Sequence, residues 1–148
     1  QANDLIDVLN DYPNVVAHIG GHTHLNRITP RPAPTDLPPE HGYWEIETAS
    51  TTMWPQQTRL IEIVDNRDGT GEIYCTMFDF QVPFSMPVLD GGRFYGLFDV
   101  QDGSGEAGQG DPDDRNVVLR VAWPPELADE LALLEHRDVM TFEFESAE

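Results

Sequence analysis

Lysine is absent from this chain of 148 residues, and eight arginines face 27 acidic side chains, leaving a formal charge of −19. A protein that grips a nucleic-acid backbone neutralises phosphates with a basic stripe, so this balance argues against DNA or RNA as a partner. Cys75 is the only cysteine, which excludes an intrachain disulfide, a thiolate zinc cluster and a Cys-x-x-Cys redox centre. No apolar run approaches the roughly 20 residues of a membrane span, and no charged-then-apolar leader opens the chain. Localisation is not readable: the chain moves from Gln1 almost at once into what reads as the middle of a fold, so a native start upstream is expected, in a cytoplasmic or an exported protein alike. A hydrophobic content of 39% is enough for one domain with a core of its own.

What is present reads as an α/β pattern. Leu5, Ile6, Val8 and Leu9 form a helical stripe over residues 4–11, which Pro13 stops. Residues 14–19, Asn-Val-Val-Ala-His-Ile, are the β-branched run of a strand buried on both faces, ending in the Gly20-Gly21 pair that lets the backbone turn. Five prolines between Thr29 and Pro39 predict a stiff polar loop, followed by a strand over 43–48. Strands are predicted over 59–64 and 72–80, joined by residues 65–71, where Asp68-Gly69 signals a hairpin. A calcium loop is the weaker reading there, because the glycine falls one place short of the EF-hand pattern and the closing Glu is missing.

Residues 101–114 are dominated by Gly, Asp, Ser and Glu and predict a flexible surface loop. A strand over 116–121 follows, then a helix opened by Pro124 and Pro125 with Leu127, Leu131 and Leu134 on one face. Met140, Phe142 and Phe144 alternate with polar residues in a last strand. No internal repeat is visible.

The chemistry concentrates in Gly20-Gly21-His22-Thr23-His24. Two imidazoles one residue apart, in a turn after a strand, suit neighbouring metal positions, since neutral imidazole is a good ligand for zinc, manganese or iron. By itself His-x-His is a weak pattern, with plain loop residues as the alternative. Its setting resembles the final block of the calcineurin-like metallophosphoesterases, whose pattern is Gly-His-x-His. The likeness continues in Trp44-Glu45-Ile46-Glu47-Thr48-Ala49-Ser50, in Pro55-Gln56-Gln57 with Arg59 beyond, and in Asp114-Arg115-Asn116-Val117. These are similar to a bacterial, actinobacterial-type subgroup, over roughly residues 1–120.

The resemblance implies that His22 and His24 bind separate ions of a binuclear site of two divalent metals of Mn, Fe or Zn type. It implies hydrolysis of a phosphate mono- or diester by a hydroxide bridging the metals. None of the family's Asp-x-His, Gly-Asp-x-x-Asp and Gly-Asn-His-Asp/Glu blocks precedes Gly20-Gly21-His22-Thr23-His24, where the family carries them, so no complete catalytic set is present in this chain. The expectation is the C-terminal part of the parent enzyme, inactive alone and waiting on the missing N-terminal half of the same domain. The alternative is a non-catalytic accessory or interaction module on the same scaffold. The implied fold is the C-terminal part of a four-layer α/β/β/α sandwich, mostly antiparallel, with an irregular tail. Residues 1–120 would belong to that domain, and 121–148 would form a helix-and-strand extension. An exposed apolar patch is expected on one sheet face where the other half docks.

Gln56, Gln57 and Arg59 fall on the turn that lies near the metals in the family arrangement, where Arg could pair with phosphate through parallel hydrogen bonds. Alternatively, Arg59 opens a strand and pairs with Glu62 or Glu72. His18 reads as a packed, hydrogen-bonded core histidine, His41 as an exposed loop residue that could gate substrate, and His136 as a partner of a helix C-terminal dipole. Trp44, Trp54 and Trp123 read as core or loop anchors.

Overall fold

The computed structural model describes residues 2–79 and 106–133. Within these residues it is a small mixed α/β fold of two three-stranded sheets and two helices. Helix α1 (Ala2–Asn10) leads into β1 (Ala17–Gly20), β2 (Arg27–Arg31) and β3 (Tyr43–Glu47), arranged β1-β3-β2 with β1 parallel and β2 antiparallel to the central β3. The second sheet is a plain antiparallel meander of β4 (Gln57–Asp65), β5 (Thr70–Asp79) and β6 (Val117–Ala122). Helix α2 (Pro125–Leu133) follows, with proline at a position where no intrahelical N–H is needed. The predicted strand through Met140, Phe142 and Phe144, Leu134 and His136 lie outside the described residues, as do 101–105 of the predicted loop.

Alternation in each strand decides the core. Ile46 of the first sheet is fully buried against Ile73, Cys75 and Leu119 of the second, with Trp44, Ile28, Ile61 and Val121 packed around them. The other face of the first sheet is polar: Glu45 accepts from Arg31 and Glu47 from Arg27 across the strand pairs. The outer face of the second sheet leaves Leu60, Tyr74, Phe78 and Val118 between 37% and 49% exposed.

The Asp-Gly signal holds, since residues 66–69 turn β4 into β5. Asp65 and Asp68 are used inside the turn, accepting from the Arg67 and Thr70 N–H groups at 3.0 Å. Trp123 closes the hairpin from behind, its ring lying where a side chain at Gly71 would stand and its Nε1 donating to Asp65 at 2.9 Å.

Three expectations need correcting. Among the described residues β1 is an edge strand with β3 as its one neighbour and leaves Ile19 55% exposed, so it is not buried on both faces. The proline-rich segment contributes a strand, β2, because Ile28 and Pro30 both turn their nitrogens away from β3. Proline's missing donor therefore costs no ladder bond at this edge. Residues 106–114 do not wander on the surface. They form two 3-10 turns, Glu106–Gln109 and Pro112–Asp114, and lie along the free edge of β2. There the Gly108 carbonyl accepts the Asn26 N–H at 2.9 Å and the Asp114 carboxylate accepts the Ile28 N–H at 2.8 Å, covering groups that would otherwise invite strand pairing.

Candidate functional site

The Gly-Gly-His-Thr-His segment leaves the first sheet at the carboxyl ends of two parallel neighbours. The Thr48 N–H, just past β3, donates to the Gly20 carbonyl at 3.1 Å and fixes the point of departure. Both histidines then take left-handed backbone conformations, His22 at φ 76° and His24 at φ 57°. Few non-glycine residues do so, and such residues cluster at ligand clamps and active sites. His22 and Thr23 are exposed, and His24 is half-buried.

Thr23, between the imidazoles, is tied down. Its Oγ1 donates to Glu47 Oε1 at 3.1 Å, while Glu47 Oε2 accepts from Arg27 Nε at 2.6 Å and from its Nη2 at 2.5 Å. Glu47 is only 8% exposed, so the arginine supplies the opposite charge that a carboxylate out of water requires.

Behind His24 the chain is held by Asn26, which is completely buried. Its Oδ1 accepts the Ala49 N–H at 2.9 Å, and its Nδ2 donates to Gln57 Oε1 at 2.7 Å and to the Gln109 carbonyl at 3.5 Å. Gln57 passes the link on, its Nε2 donating to Asp79 Oδ1 at 2.6 Å. One amide thus joins the His loop, the end of the first sheet, the start of the second and the 106–114 segment. Close approach is what requires glycine in that segment: a Cβ at Gly110, which sits at φ 64°, would lie 2.2 Å from the Asn26 carbonyl oxygen.

The residues expected to touch substrate lie at these supports. Gln57 is part of the buried amide chain. Gln56 is 5% exposed at φ 59°, its N–H donating to the Met53 carbonyl at 2.7 Å. Arg59 pairs with neither Glu62 nor Glu72. Its Nη2 donates to the carbonyls of Asp114 at 2.6 Å and Glu47 at 3.4 Å and its Nη1 to that of Arg115 at 3.3 Å, leaving a buried Nε without a partner among the described residues. Glu72 instead takes Arg120 and the Tyr74 hydroxyl, and that bond, together with the glutamate's charge, holds the Tyr74 phenol above its ordinary pKa.

Two histidines differ from their expected roles. His18 stands on the polar face in register with Glu45, half-buried and without a hydrogen bond among the described residues, because the core lies on the opposite face. His41 is half-buried rather than exposed. Its Nδ1 lies 2.6 Å from the Asn10 carbonyl, and the Asn10 amide returns a 3.0 Å bond to the His41 carbonyl, docking the proline-rich segment on α1.

As a donor set for a metal, His22 and His24 have the right chemistry and too few members. Among the described residues no group of three or more His, Cys, Asp or Glu side chains is placed to hold an ion. Sequence reasoning overlooked Thr23, Asn26, Glu47 and Asp114 as supports. The one available signal was position, since all four fall within or beside the family-like blocks, but their partners are 20 or more residues away. In comparisons with known proteins, no family model, no curated protein and no solved structure matches this chain.

Proposed function

We propose that this chain supplies one wall of the binuclear site of a calcineurin-like metallophosphoesterase, with His22 and His24 each binding a different divalent ion. The observation that carries this reading is the pair of imidazoles in left-handed conformations at a strand's carboxyl end. When bound, two such ions supply a nucleophile and steady the charge of a phosphate mono- or diester. The part played by this chain's residues is narrower: His22 and His24 ligate, and Asn26 and Gln57 keep the loop seated. Arg59 holds the Asp114–Arg115 turn against the end of β3 through its carbonyl bonds. Among the described residues no carboxylate or further nitrogen joins the two imidazoles in a donor set, and on this reading the chain alone is inactive.

Manganese titration of the isolated chain tests this. Millimolar manganese is expected to broaden the ring-proton NMR signals of His22 and His24 before those of His18 and His41, with no turnover of a nitrophenyl phosphate ester. Unaffected signals from both rings would sink the ligand assignment, and tight calorimetric binding of two ions would sink the incompleteness. A second reading, an accessory or interaction module that keeps the scaffold without catalysis, is favoured by the want, among the described residues, of a third donor near the loop. The coding sequence upstream of Gln1 separates the two, since only a phosphoesterase needs Asp-x-His and Gly-Asn-His-Asp/Glu there.

A further inference from the structure

We infer that Glu47, acting through Thr23, is a positioning residue for the two imidazoles, an inference that rests on the metal-ligand reading of His22 and His24. The loop of residues 21–26 between β1 and β2, with two left-handed non-glycine backbones, has little to hold them from within, because a non-glycine residue in that region is disfavoured. Thr23 is the side chain between the two ligands, and although exposed it is bonded to a carboxylate that is itself 8% exposed. That carboxylate cannot swing freely. Its second oxygen is held by two nitrogens of Arg27, a residue that directly opposes Glu47 in the β2–β3 pairing. Gly20 opposes Glu47 from the other side, so the acid stands at the centre of the strand end from which the loop departs. The plain alternative is a cross-strand ion pair that Thr23 merely touches. An ion pair needs no third partner, whereas Glu47 gives one whole oxygen to the residue between the imidazoles. The arrangement matches the way outer-shell carboxylates orient ligating groups, transmitted here through the backbone on either side of Thr23.

The test uses the 148-residue chain with Thr23→Val, which keeps the shape and removes the donor, and Thr23→Ser, which keeps the donor. Backbone 15N order parameters at residues 22–24 are expected to fall from about 0.85 to below about 0.6 in the valine variant and to return in the serine variant, with the β4–β6 sheet unchanged. The manganese concentration that broadens the His22 and His24 rings is expected to rise about tenfold in the valine variant alone. An unchanged loop in Thr23→Val overturns the inference, and so does loosening spread equally over both sheets or a failure of serine to restore order. If manganese leaves the native imidazoles untouched while the order parameters behave as expected, the loop clamp stands and the metal-ligand reading is what fails.

Discussion

The carboxamide of Asn26 is shut away from water with both its polar atoms engaged, accepting from Ala49 and donating to Gln57 and the Gln109 carbonyl. Asn26→Ala strands the Ala49 N–H and the Gln57 oxygen in a dry interior. Each stranded group costs about 1 to 3 kcal/mol, so urea denaturation is expected to show a loss of roughly 2 to 6 kcal/mol. A loss within the scatter of surface substitutions would mean that water replaces the amide. Such residues are hard to see in a sequence, where Asn26 reads as one more polar residue after a histidine pair. The imidazoles themselves were legible, because His-x-His after a Gly-Gly turn is a local pattern. Arg59 was legible only as a cation, since its carbonyl partners at 47, 114 and 115 belong to other parts of the chain.

At the scale of elements, local patterns served where the structure is local. The β4–β5 hairpin follows from its turn chemistry, and that turn carries a pH dependence. The side-chain and main-chain bonds from Thr70 hold the Asp68 carboxyl below the usual carboxylate pKa. A carboxyl with a lowered folded-state pKa stabilises the fold above its unfolded value, about 3.9, and that contribution disappears as pH falls through the folded value. Thermal midpoints of the native chain and Asp68→Ala are therefore expected to differ at neutral pH and to converge in strong acid. A gap that stays constant below pH 3 or so would assign the difference to the side chain's shape instead of its charge. β2 shows where local patterns failed, because a proline is compatible with a strand only at an edge, and which strand is an edge depends on what pairs with it. The 106–114 segment has the composition of a flexible loop, yet it is ordered by acceptors that meet the edge donors of Asn26 and Ile28.

Over the whole molecule, two sheets meet through a narrow apolar seam centred on Ile46 and Ile73, and the charge lies outside it. With 27 acids against eight arginines, repulsion is spread over the surface while attraction is concentrated in a few pairs such as Arg27–Glu47 and Arg31–Glu45. Screening shortens from about 10 Å at 0.1 M salt to about 3 Å at 1 M, which relieves long-range repulsion more than it weakens contact pairs. The thermal midpoint is expected to climb with sodium chloride over that range, and a midpoint that drops would show the contact pairs to be the larger influence. The outer face of the second sheet sets the exposed Leu60, Tyr74, Phe78 and Val118 among Glu62, Glu72, Thr76 and Arg120, a mixed surface in which charged and apolar side chains alternate.

Sequence by itself determined the strand-and-turn alphabet of this protein, its exclusion of a basic nucleic-acid footprint and the location of its two imidazoles. These depend on composition or on neighbours a few residues apart, and side-chain periodicity and turn chemistry act over that range. Tertiary structure decided which strands lie at edges, which face of β1 meets the core and what holds the histidine loop in place. The supports of that loop are pairings across separations of 20 to 86 residues, from Arg27 with Glu47 to Ile28 with Asp114. Hydrogen bonds of that kind exist only once packing has brought their two ends together, so the pair of histidines was readable in advance and the clamp that sets their conformation was not.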